Sequence, residues 1–126
     1  MVTSLAYVAL GGALGASARY LAGVGIMRLF GVNPFPLGVI AVNILGSFLM
    51  GMFVVAAAQR GLSHLSPLVM TGLLGGFTTF SAFSLETVTL YERGAYGLAA
   101  AYVLLSVGLS VGGLIAGMAL ARGIWT

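Results

Sequence analysis

The chain has 126 residues, enough for one domain, of which 60% are apolar and a further 20 are glycine. Only five arginines and two glutamates carry a formal charge, 6% of the residues against about a quarter in soluble domains. A soluble fold of this size has no interior large enough for so much apolar surface, so the composition is that of an integral membrane protein. The net charge of +3 is scattered, without a lysine, and leaves no basic face for nucleic acid. The absence of cysteine excludes disulfides, thiolate metal sites and a cysteine nucleophile, and the lone His64 excludes a histidine metal cluster.

The first apolar stretch, 3–30, has no basic leader and runs on too far for a cleaved signal, so it reads as a retained span. Gly31-Val32-Asn33-Pro34-Phe35-Pro36 ends it, with two prolines that cannot continue a helix. A second span over 37–58 leads into the break Gln59-Arg60-Gly61-Leu62-Ser63-His64-Leu65-Ser66-Pro67. A third follows over 67–91, then the turn Glu92-Arg93-Gly94 and a fourth span over 95–121. Each has the roughly 20 residues needed to cross a hydrocarbon core about 30 Å thick. The predicted architecture is all-α: one domain, 1–126, of four transmembrane helices with both termini on the same side. Gly11 and Gly15, Gly108 and Gly112, and Gly113 and Gly117 form three G-x-x-x-G pairs, so the first and fourth helices are expected to pack closely.

The third span carries Gly72, Gly75 and Gly76 with Thr78, Thr79, Ser81 and Ser84 near its middle, poor chemistry for a continuous helix. A break is expected there, and in a membrane such backbone is tolerated only when buried in protein or lining a watery cavity. Arg60 and Arg122 flank the side of the termini, Arg28 and Arg93 the other. The positive-inside rule therefore gives no orientation. Either a residual bias settles it, or the chain inserts both ways and pairs as an antiparallel dimer.

Arg19 lies well inside the first span, where a charge costs about 2.5–3.5 kcal/mol and marks a pathway or an ion partner. Glu86 pairs with an arginine or marks the approach to the interface. Asn43 is the amide of the second span, with two donors and an acceptor. Tyr102, Ser106 and Ser110 recur every four residues and so lay three hydroxyls along one stripe. Phe80 and Phe83 share a face, and the positive edges of aromatic rings can meet an anion without a formal charge. Together these donors favour a small anion over a cation. No phosphate loop exists and aspartate is absent, which argues against nucleotide-driven pumping and against hydrolysis, and against an enzyme altogether.

The run Gly75-Gly76-Phe77-Thr78-Thr79-Phe80-Ser81-Ala82-Phe83-Ser84-x-Glu86 resembles the signature of the Fluc (CrcB) fluoride channels. So do Gly11-Gly12-x-x-Gly15-x-x-x-Arg19, Pro36-Leu37-Gly38 and Val42-Asn43. The resemblance covers nearly the whole chain. It implies a fluoride-selective passive channel in the cell (inner or plasma) membrane that lowers cytoplasmic fluoride, built as an antiparallel, dual-topology homodimer with two pores. Carried over by motif, Phe80, Phe83, Asn43 and Ser81 would line the fluoride path, Tyr102, Ser106 and Ser110 would form a hydroxyl track, and Arg19 would hold a vestibule positive. Backbone carbonyls of Gly75 and Thr78 from both subunits would hold a structural sodium ion. Ala82 replaces a threonine common in that signature, and Val39 stands where many members have a hydroxyl.

Two rival readings differ in class. A small multidrug exporter, exchanging cations for protons, needs an acid deep in the first helix, where this chain has Arg19. A non-transporting structural subunit would pack through its glycine pairs alone, and the broken third span and intramembrane arginine argue against it.

Overall fold

A computed structural model describes residues 1–31 and 35–125. Among them the backbone is helical almost throughout and has no strand. Helix α1 (Val2–Phe30) is followed by α2 (Leu37–Arg60), which ends at Gly61 with φ 67, a left-handed cap that glycine adopts without a Cβ penalty. A 3-10 turn (Ser63–Leu65) enters a third stretch made of a π-helix (Pro67–Leu74), the short α3 (Gly75–Phe77) and α4 (Phe80–Glu92). Gly94, at φ 79, turns the chain into α5 (Tyr96–Trp125). The boundaries agree with the sequence reading to within a few residues. Of the predicted first break, Val32, Asn33 and Pro34 lie outside the described residues.

Three helical stretches are long and apolar enough to cross a membrane: Leu37–Arg60, Ser63–Glu92 and Tyr96–Ile124. With 29 residues α1 has the length, about 44 Å at 1.5 Å per residue. It is not among the three, because Arg19, Arg28 and its glycines and hydroxyls dilute its apolar character.

Backbone contacts fix how the stretches run. A Cβ on Gly11 would collide with the carbonyl of Leu68, and one on Gly15 with that of Leu73, so α1 lies parallel to the start of the third stretch. A Cβ on Gly51 would strike Leu114, and one on Gly117 would strike Phe48, which sets α5 parallel to α2. Gly46 abuts the Thr78 side chain and Ile40 clusters with Leu90, so the two parallel pairs oppose each other. Two of the three predicted glycine pairs therefore work within the chain; Gly108 and Gly112 face open space. Ile40, Leu90, Ala99 and Tyr102 form a buried cluster at the end of the bundle where α2 and α5 begin, with Phe35, Ile44, Phe83 and Ala95 packed against it.

Close approach makes these glycines irreplaceable in a way that composition does not reveal. Gly15→Ala is expected to cost about 1–3 kcal/mol through overpacking, visible as a lower unfolding temperature and a broadened elution peak in detergent. Gly25→Ala, with no atom near its added methyl, should leave both unchanged or improved.

Candidate functional site

The third stretch breaks at Thr78 and Thr79, both extended, at φ −88, ψ 159 and φ −151, ψ 125. The break thus falls in the expected region, at its threonines, while Gly75 is helical at φ −62, ψ −38. Gly72 and Gly76 serve contact: a Cβ on either would press on Gly11 or Gly12 of α1. The break is held from α2. Thr79 N–H donates to Asn43 Oδ1 at 2.8 Å, and Asn43 Nδ2 donates to the Thr79 carbonyl at 3.0 Å. A primary amide, with its donor and acceptor on separate atoms, can answer a backbone N–H and C=O at once, as a neighbouring strand would. Below the break, Thr79 Oγ1 accepts from Ala82 N–H at 3.1 Å and caps α4, and it shares a proton with Ser81 Oγ at 3.2 Å.

Interrupting the helix changes which carbonyls are satisfied. Gly76 O accepts from Arg19 Nε at 3.1 Å, so the arginine of α1 is tied to the broken backbone. Thr79 N–H, the donor a continuous helix would give to Gly75 O, goes to Asn43, and Ala82 N–H, the donor for Thr78 O, goes to Thr79 Oγ1. The carbonyls of Gly75 and Thr78 thus lose their helical partners. Among the described residues no group of three or more His, Cys, Asp or Glu gathers to hold a metal ion.

A groove of about 300 Å³ opens beside the break, lined on α2 by Asn43 and Ser47, on the third stretch by Thr78, Thr79, Phe80 and Phe83, and on α5 by Ser106 and Ser110. Five of the residues singled out in the sequence, Asn43, Phe80, Phe83, Ser106 and Ser110, therefore meet in one site. Phe80 and Phe83 stand 5.3 Å apart with rings tilted by 44°. Tyr102 lies behind them, fully buried, stacked on Phe83 at 5.4 Å and edge-on to Phe35 at 5.5 Å, and does not line the groove. Its hydroxyl and that of Ser106 are buried next to one another. Ser81 sits at the break on the exposed side and is not part of the groove wall. Ser47 and the side chains of Thr78 and Thr79 were not singled out for the site from sequence; the spacing of Ser47, one helical turn after Asn43, was the available signal.

A second cavity, about 540 Å³, is walled in part by Arg19, Val39, Thr79, Ala82, Glu86 and Arg93. Thr79 lines both cavities, so the break is the partition between them. Two arginines against one glutamate leave this cavity positive. Both residues that depart from the expected signature, Ala82 and Val39, are in its wall and not in the groove.

Residues 6–118 match the family model described as CrcB-like protein, Camphor Resistance (CrcB). The chain belongs to the CrcB family. It is 66% identical over 126 residues, all of both chains, to a protein of Ruegeria sp. (strain TM1040) named fluoride-specific ion channel FluC. A protein of the same name from Cereibacter sphaeroides (strain ATCC 17029 / ATH 2.4.9) is 68% identical over 123 residues, 98% of each chain. One from Agrobacterium fabrum is 51% identical over 124 residues, 97% of this chain and 98% of its own. These CrcB relatives bear the names of ion channels and not of enzymes, in keeping with the catalytic groups the chain lacks, and its apolar helices make it a membrane protein.

Because Asn43 supplies both partners of Thr79, its loss strands two backbone groups at once. Asn43→Ala is expected to lower stability by about 1–3 kcal/mol for each group left unpaired, read as a drop in unfolding temperature in detergent. Ser84→Ala, which removes only a bond returned to the helix's own Phe80 carbonyl, should have little effect on that temperature.

Proposed function

We propose that this protein is a fluoride-selective passive channel that exports fluoride from the cytoplasm and so reduces its toxicity. The observation that carries the reading is the convergence of Asn43, Phe80, Phe83, Ser106 and Ser110 on one groove, in a chain two-thirds identical to proteins named fluoride-specific ion channels. Fluoride is small and strongly hydrated, so a path must replace its water with compact donors, as selectivity filters do for other ions. One Asn43 amide hydrogen is committed to Thr79 O and the second remains for the anion. Serine hydroxyls and the ring edges of Phe80 and Phe83 supply further positive ends without a fixed charge that would trap the ion. Chloride, being larger, is excluded by the width of such a path. No acid lines the groove, which argues against cation exchange. The positive second cavity, with Arg19 in its wall, fits a vestibule that gathers anions before the break.

The reading includes four membrane spans, α1 being the fourth, since it runs alongside a spanning stretch and its backbone meets that stretch at Gly11 and Gly15. It also includes an antiparallel, dual-topology homodimer with two pores. Phe80 is 77% exposed in the single chain and Thr71, Ser81 and Ser84 are exposed on the same stretch, a face of aromatic and hydroxyl groups that a second copy can cover. Two arginines at each end of the bundle give no preferred orientation. A structural sodium ion fits the donor set at the dimer centre. The carbonyls of Gly75 and Thr78 lack their helical donors, and hard cations take such oxygens. Two copies would supply four of them, and the ion would hold the subunits together rather than be transported.

Purified protein in liposomes loaded with potassium fluoride, opened electrically with valinomycin, should release fluoride rapidly, while chloride-loaded vesicles retain their contents. Fluoride retention by a folded dimer would overturn the reading. Phe80→Ile removes a ring-edge contact of about 1 kcal/mol and should slow fluoride efflux about fivefold with the dimer intact. Replacing sodium with N-methylglucamine should reduce the dimer fraction on size-exclusion chromatography; an unchanged fraction would remove sodium from the assembly.

A further inference from the structure

Hydroxyls in this protein divide into two kinds. Thr78, Thr87, Ser84 and Thr89 each donate to the carbonyl four residues earlier on their own chain, at 2.8–3.0 Å, which ties up the donor a ligand would need. Ser47 makes no such bond. It stands one turn beyond Asn43 on the same face of α2 and lines the groove with Asn43, Ser106 and Ser110.

Its neighbours make it the donor at that level. The Thr78 hydroxyl is bonded to Leu74 O, and its methyl is the atom that faces Gly46 of α2. Val107 and Val111 line the α5 side with apolar surface. Because α2 and α5 run parallel, with Gly113 beside Ile44 and Gly117 against Phe48, Ser47 lies further toward the Arg60 end than either Asn43 or Ser110. An anion leaving Asn43 in that direction meets the Ser47 hydroxyl next.

We infer that Ser47 is a further pathway residue, the donor that carries the polar lining one helical turn beyond Asn43 toward the end of the bundle bearing Arg60 and Arg122. This inference rests on the channel reading above and extends it to a residue that reading does not use.

The test exploits the absence of cysteine from the natural chain, since Ser47→Cys then carries the only thiol. Wild type, Ser47→Ala, Ser47→Thr, Ser47→Cys and Ser17→Ala, an exposed serine of α1 away from the groove, are compared by fluoride efflux in chloride-free buffer. Ser47→Ala is expected to slow efflux about tenfold, the scale of one hydrogen bond to an ion, while Ser47→Thr and Ser17→Ala stay within about twofold of wild type. Silver ions should block Ser47→Cys and leave the cysteine-free wild type untouched. Wild-type rates for Ser47→Ala, or unblocked flux through silver-labelled Ser47→Cys, would overturn the inference while the channel reading stands. A wild type that releases no fluoride would overturn both.

Discussion

The pairing of Asn43 with Thr79 is the constraint on which the rest of the site depends. A helix crossing a membrane cannot simply stop at mid-depth, because each exposed N–H and C=O there lacks water to bond. One amide side chain answers both groups of Thr79, at 2.8 and 3.0 Å, and so permits two consecutive extended residues in the middle of a span. Gly46 contributes to the same junction, since a Cβ there would occupy the position of the Thr78 methyl. The second helix is thus shaped to seat a discontinuity in the third.

From that discontinuity follow the other polar features. Thr79, released from helical geometry, turns its hydroxyl to cap α4. The Gly76 carbonyl is taken by Arg19, which gives the half-buried guanidinium an acceptor and fastens α1 to the break. A guanidinium has several donors in a planar fork, so one bond through Nε leaves others directed at the second cavity. Arg19 is in this way both a structural partner and the source of positive potential next to Thr79, the residue shared by both cavities.

Much of this was legible from the residues alone. The four helical stretches follow from hydropathy and from Gly61 and Gly94 at the turns, and the site residues Asn43, Phe80, Phe83, Ser106 and Ser110 stood out as polar or aromatic groups in unusual places. Three things were not legible. The glycines and hydroxyls over 72–84 marked the region of the break but not its place within it: Gly76 stays helical with its bare backbone against α1, and the break falls at Thr78 and Thr79, where Asn43 can reach. A long-range partner of this kind leaves no local trace in sequence. Tyr102 shares a helical stripe with Ser106 and Ser110, yet Phe35 and Phe83 enclose its ring and set it behind the groove. Ser47 looked ordinary because serines are common on apolar helices, and only the fold shows that its hydroxyl stays uncommitted beside the site.

Hydroxyls returned to their own helix differ in place from those that are not. A buried hydroxyl without a partner costs about 1–3 kcal/mol, and selection for stability alone would return each one to its own helix, as Thr78, Thr87, Ser84 and Thr89 are. Tyr102 and Ser106 are buried on a long helix and make no such bond. Both adjoin Phe83 or the groove wall. α1 and α5 close on their neighbours through Gly11, Gly15 and Gly117, with contacts that any larger residue would break. Gly46 does the same at the groove itself, against Thr78, so the polar groups around the break are carried by a frame packed closely on glycine.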